Sequence, residues 1–167
     1  MAHSELTAVT GARAWYGPDM DAQREQWTFR LTAAHVEELD AAIKGVEERR
    51  LGIVSIRRAD FPLAQLGKLL RRIRDELQDG RGFALLRGLP VERYSVQQAA
   101  IAYFGIGAHL GDAVSQNAKG HALGHVYNLG VDPTLPTGRG YQSDQKLNFH
   151  TDPTDVVGLL CLRKAKA

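Results

Sequence analysis

This sequence of 167 residues contains one cysteine, Cys161, so no disulfide forms within the chain, and a reducing compartment is expected. No apolar run approaches the roughly 20 residues needed to span a bilayer. The opening stretch MAHSELTAVTGARAWYG lacks the basic-then-apolar order of a secretory signal, so the expected location is the cytoplasm. Charge of one sign is scarce: 21 basic against 19 acidic residues leave a net charge of +2, too little to argue for nucleic acid. The densest basic stretch, Arg71-Arg72-Ile73-Arg74, reads as the wet face of a helix. Repeats and low-complexity segments are missing too. What remains is ordinary globular composition, 44% hydrophobic and 24% charged, in a chain of about one domain.

Residues 1–26, rich in Gly, Ala and polar side chains in their first part, are expected to form a loosely attached lead-in, with one domain over 27–167. Trp27 to Leu31 alternates apolar and polar residues, as a half-buried strand does. Thr32 is placed to cap a helix running to about Arg50, with Val36, Leu39, Ile43 and Val46 as one stripe. Gly45 lowers the propensity of its far end. A second helix is predicted with Asp60 as cap, Pro62 in its first turn, and Leu63, Leu66, Leu70, Ile73 and Leu77 on its apolar face. FALLRGLP reads as a short buried strand stopped by Gly88 and Pro90. Ser95 with Gln98 makes a capping box for a third helix ending near Gly111.

From Asp112 the texture changes to Gly, Asn, Asp, Pro and Ser. His125–Val131 is expected as a strand, 132–145 as a long loop and candidate lid, and two further strands around Leu147–His150 and Asp155–Arg163. In a strand, Asn148, His150 and Asp152 share one face while Leu147 and Phe149 share the other. An imidazole and a carboxylate on one face are two of the three groups of the 2-His-1-carboxylate triad that binds non-haem iron. The pair alone is weak. Six histidines and 19 acids in this length give about 0.7 such pairs by chance, and a surface histidine beside a capping aspartate is the plainer reading.

The longer context is more specific. LNFHTDPTDVVGLLCLRKA resembles the metal-binding segment of the taurine dioxygenase (TauD/TfdA)/clavaminate synthase-like family of Fe(II)- and 2-oxoglutarate-dependent oxygenases. GRGFALLRGLPV, from Gly80 to Val91, resembles the early strand of the same family. The resemblance implies an α+β chain. It implies the N-terminal portion of a double-stranded β-helix, or jelly roll, with helices packed outside. It implies Fe(II) as cofactor, 2-oxoglutarate as cosubstrate, a small-molecule substrate with O2, and His150 and Asp152 as metal ligands. Gln116, Asn117 and Tyr141 fall where the family's substrate pocket is bordered, and Asn148 lies on the ligand face. The family's second metal-binding histidine and its oxoglutarate-binding arginine find no counterpart, because His3, His35, His109, His121 and His125 all precede the motif. The expectation is therefore a domain truncated before those residues and inactive alone. Its unfinished sheet edge would be open to pairing with another copy. A non-catalytic fragment and a metal-free small-molecule binding or interaction module are the alternatives. Cys161 is expected as a small core residue, and Trp15 and Trp27 as core cover.

Overall fold

The computed structural model describes residues 8–115, 120–128, 130, 146, 149–152 and 154–164. The chain divides into a larger unit, up to Asp112 with the residues from Leu160 on, and a smaller one, Ala113–Leu159. In the larger unit the elements run α1 (Gly17–Ala22), α2 (Arg24–Trp27), β1 (Thr28–Arg30), α3 (Ala33–Glu48), α4 (Leu66–Gln78), β2 (Leu85–Arg87) and α5 (Val96–Leu110), with short 3₁₀ turns between them. β1 and β2 form a parallel pair, Thr28 opposite Leu85 and Arg30 opposite Arg87. Parallel strands cannot be joined by a tight turn, so the connection travels through α3 and α4.

The three long helices make the core. Leu39, Ala42, Ile43 and Val46 of α3 are buried, together with Leu66, Leu70 and Ile73 of α4 and Ala99, Ile101, Ala102, Phe104 and Ile106 of α5. Phe61, in the connection before α4, is fully buried and lies against α5 at Gly105. A Cβ on Gly105 would sit 2.5 Å from the Phe61 ring, which is why a helix interior tolerates a residue about 1 kcal/mol poorer than Ala in propensity there.

Two of the three helix caps expected from the pattern form. The Thr32 hydroxyl accepts from the His35 N–H at 3.3 Å, and the imidazole Nδ1 of His35 accepts the Thr32 N–H in return. Ser95 and Gln98 make the reciprocal pair at the start of α5, which closes at Gly111. The helix expected from Asp60 starts later, at Leu66. Asp60 is committed elsewhere: its carboxylate accepts from the Arg57 N–H and pairs with Arg49 at 3.1 Å. The open N-terminus of α4 is capped instead by Glu38 of α3, whose carboxylate accepts from Gln65 N–H at 2.7 Å and Leu66 N–H at 2.9 Å. Leu63 is buried just ahead of the helix, and Leu77 is half-buried near its end.

Further expectations are corrected. FALLRGLP does form a strand, but Leu85 and Leu86 are half-buried, because among the described residues the sheet has two strands and no stack on both faces. The lead-in is tied down over its described part. Arg13 donates to the Gln78 carbonyl, Trp15 Nε1 donates to the Arg81 carbonyl at 3.2 Å, and Trp15 and Trp27 both meet Phe83 edge-on at 5.4 Å. Composition missed this because the lead-in's own anchors are one indole, Trp15, and one guanidinium, Arg13, in an otherwise polar stretch. The strands expected at His125–Val131, Leu147–His150 and Asp155–Arg163 are absent among the described residues of those segments. Alternation supplies a strand's side-chain pattern, but its N–H and C=O groups need a neighbouring strand, and none pairs with them among the described residues.

Candidate functional site

His150 and Asp152 lie in the smaller unit, and both are exposed. The backbone turns sharply just after them: the Thr154 N–H donates to the Asp152 carbonyl at 2.9 Å. Phe149 is fully exposed and not on a core-facing side, and the exposed Cys161 is not a core residue; its thiol lies 3.4 Å from the Arg163 carbonyl. Both departures have the same cause as the missing strands, since no second layer covers this segment among the described residues. Asn148, Gln116, Asn117, Tyr141 and the candidate lid 132–145 lie outside the described residues.

The chemistry available at this point is one imidazole and one carboxylate separated by a single residue. Among the described residues no group of three or more His, Cys, Asp or Glu side chains is placed to hold a metal ion. His121 and His125 are exposed and not on a helix, so their four-residue spacing does not put them on one helical face. The His125 ring instead meets the Tyr127 ring edge-on, 6.4 Å between centroids.

The larger unit holds polar groups of a different kind, engaged in holding the fold. His109 is buried near the end of α5, with Nε2 2.7 Å from the Phe61 carbonyl. A carbonyl only accepts, so Nε2 carries the proton and donates. The sequence gives a partial signal for this residue: His109 falls four after Gly105, on the buried side of the helix. Tyr94 donates to Asp40 at 2.5 Å, and Arg93 pairs with the same carboxylate at 3.0 Å. Burial, and then the Asp40 acceptor and its charge, push the Tyr94 phenol well above its ordinary range. It serves as a hydrogen-bond donor, not as a base. Burial raises the Glu38 carboxyl, but the N–H groups of Leu66, Gln65 and Ala64 and the nearby His35 outweigh it, and the net shift is downward. Glu76 is likewise lowered on balance: burial opposes the shift, while the Arg81 N–H and guanidinium, at 3.0 and 2.8 Å, favour it. Each of these groups already has a partner within the fold.

Residues 43–167, which take in both His150 and Asp152, match the family described as "Taurine catabolism dioxygenase TauD, TfdA family". The chain belongs to this family. Two curated relatives agree. FR-33289 synthase of Streptomyces rubellomurinus is 33% identical over 159 residues, covering 95% of this chain and 47% of the relative. Taurine hydroxylase-like protein SAT17 of Stachybotrys chartarum is 29% identical over 159 residues, covering 91% of this chain and 41% of the relative. This member of the TauD/TfdA family thus spans about half the length of the curated relatives it matches. Among the described residues no helix is long and apolar enough to cross a membrane.

Proposed function

We propose that this chain carries the N-terminal part of a jelly-roll Fe(II)- and 2-oxoglutarate-dependent dioxygenase that oxidises a small molecule. The observation that carries the reading is the family match through residues 43–167, which includes the exposed His150 and Asp152. The names of the relatives, a synthase and a hydroxylase-like protein, favour a small-molecule oxidation.

The donor set fits iron in part. A neutral imidazole nitrogen of His150 and a carboxylate oxygen of Asp152 are two of the three protein donors that a facial triad uses, and both side chains are exposed. When bound, the metal supplies O2 activation, with oxidation of substrate coupled to decarboxylation of 2-oxoglutarate to succinate. The protein's part is to hold the ion, orient the reactants and exclude water. The sharp turn at Asp152–Thr154 sets where the carboxylate leaves the backbone. Asn148, Gln116, Asn117 and Tyr141 are assigned to the border of the substrate or cosubstrate, and 132–145 to a lid. The second histidine and the arginine for the distal carboxylate of 2-oxoglutarate are assigned to sequence following residue 167. The reading places them there because every other histidine of the chain precedes His150.

The test is succinate release with Fe(II), 2-oxoglutarate and O2, together with Fe(II) binding measured without oxygen. The comparison is between this chain and a polypeptide extended to the length of the relatives. The short chain is expected to give no succinate. The extended one is expected to bind Fe(II) and turn over with a suitable substrate, both lost in His150→Ala and Asp152→Ala. His150-dependent succinate from the short chain would overturn the partial-site reading. An extended chain that binds no Fe(II) would overturn the oxygenase reading itself.

A further inference from the structure

The turn between α4 and β2, DGRGFA over residues 79–84, is built around one ion pair. Glu76 Oε1 accepts from the Arg81 backbone N–H at 3.0 Å and from its guanidinium at 2.8 Å. Both side chains are only 20% exposed, whereas every other ion pair among the described residues has a partner at least 46% exposed. Gly80 allows the closure. A Cβ there would lie 2.7 Å from the Glu76 Cδ and 2.8 Å from the Glu76 carbonyl oxygen. Gly82, with φ of 84°, donates its N–H to that same carbonyl at 3.1 Å. The N-terminal segment is fastened to this turn at several points. Arg13 donates to the Gln78 carbonyl, and the Trp15 indole to the Arg81 carbonyl. Gln26 Oε1 accepts from the Arg81 guanidinium at 2.5 Å. Trp15 and Trp27 both meet the Phe83 ring. Within the segment the Trp27 indole donates to the Met20 carbonyl at 2.8 Å, which ties α1 to α2.

We propose that residues 13–27 form a latch that engages and releases as one unit through Arg81, and that this latch sets the register of β1 on β2. The guanidinium is the part that both sides share. One of its nitrogens is held by Glu76 and another reaches Gln26. The fork is planar and rigid, so an acceptor on one nitrogen aims the other. Without the Glu76 carboxylate the fork loses that aim, and a charge with little access to water loses its partner. The three-helix core closes without the segment: Leu39, Val46, Ile56, Phe61, Leu66, Leu70 and Ile101 are its fully buried side chains. Release therefore leaves the helices folded, as local opening does. The register follows from where the contacts fall. Trp27 immediately precedes Thr28, Phe83 stands two residues before Leu85, and Thr28 pairs with Leu85. In this register Phe29 lies beneath the Arg72 guanidinium of α4, 5.9 Å from its ring centroid. A slip of one residue would bring Thr28 or Arg30 to that face instead. Every contact of the latch lies between Arg13 and Arg87, and the inference stands apart from the proposed iron chemistry.

The chain carries its own reporters. Its two tryptophans, Trp15 and Trp27, both belong to the latch and both touch Phe83, so indole emission follows the latch. Far-UV circular dichroism follows α3, α4 and α5. The register is read at the Leu31 N–H, which donates to the Arg87 carbonyl at 2.8 Å at the far end of the strand pair. Its exchange with solvent rises when β1 leaves β2.

The experiment compares the 167-residue chain at neutral pH with Glu76→Gln, Arg81→Met and Gly80→Ala. Glu25→Gln is the control, because it breaks only the exposed pair with Arg30. Emission, far-UV circular dichroism and amide exchange are measured on each. The three latch variants are expected to emit further to the red with their helix signal kept, and to exchange the Leu31 N–H about tenfold faster. In urea their emission should change before their helix signal does. The control should match the parent. Parental emission in all three variants overturns the latch, and an equal red shift in Glu25→Gln overturns Arg81 as its pivot. A red shift that comes only with loss of helix signal overturns its independence from the core. A red shift with parental exchange at Leu31 overturns its hold on the register.

Discussion

The two ends of this chain treat apolar residues in opposite ways. Between Thr32 and Leu110 the leucines, isoleucines and phenylalanines find each other: Phe61, Leu39, Leu66, Leu70 and Ile101 are shut away from water. Between Phe149 and Leu162 equally apolar residues stand in solvent. Hydrophobicity is the same in both regions, so it does not explain the difference. Backbone hydrogen bonding does. A helix satisfies its own N–H and C=O groups and then needs only one covered stripe, which α3, α4 and α5 give one another. A strand leaves those groups open until a neighbour arrives, and only β1 and β2 have one among the described residues.

The contrast is broken most severely by truncating one large side chain on each side of it. Phe61→Ala empties a fully buried site packed against Gly105 and beneath the His109 bond. It is expected to cost about 3–5 kcal/mol of stability. Leu159→Ala removes a side chain already in water and is expected to stay within about 0.5 kcal/mol. Urea unfolding followed by helix signal measures both. Equal losses would show that the tail packs on folding after all. Leu160→Asp falls between them, because Leu160 is half-buried in this chain and a charge there keeps partial contact with water.

The helical region was legible where the signals were local. Thr32, Ser95 and Gln98 cap the helices their sequence positions mark, and Leu39, Ile43 and Val46 form the stripe their spacing describes. It was illegible where the partner came from afar. Nothing near Leu66 announces that Glu38 will cap α4, and nothing near Asp60 shows that Arg49 and Arg57 will claim its carboxylate. The tail shows the converse. Its motif named a family that the comparison then showed, yet its alternation did not make strands, because pairing is a property of two segments and the motif describes one.

The Glu38 cap is the next comparison to press, because it is titratable. Its folded carboxyl is held below the ordinary glutamate value of 4.5. A lowered folded value means that the contribution is fully present above about pH 4.5 and is lost as pH falls through the folded value. Glu38→Gln is expected to cost about 1–2 kcal/mol at pH 7, since α4 loses a charged acceptor shared by two N–H groups. The same variant should show a shallower loss of stability below about pH 4.5 than the parent. Glu37→Gln, one residue earlier on the exposed side of α3, is the control and should change little. If both variants lose stability equally and keep the parental acid slope, Glu38 is not the cap.

The smallest expected effect sits at the other end of α3, where a local rule is broken. The Arg50 N–H donates to the Glu47 carbonyl at 3.0 Å, and the Leu51 N–H to the Val46 carbonyl at 3.2 Å. These crossed bonds close a helix around a residue in the left-handed region, and Arg50 occupies it with φ of 52°. Glycine is the residue this position ordinarily takes, because a Cβ there crowds the following carbonyl. Arg50 is exposed and in no ion pair among the described residues, so replacing it forfeits no fixed partner. Arg50→Gly should therefore stabilise the chain by about 0.5–1 kcal/mol, the relief of the left-handed strain less the added freedom of glycine in the unfolded state. A thermal midpoint raised by a few degrees checks it. A lowered midpoint would mean that the long arginine side chain contributes packing that outweighs its backbone strain.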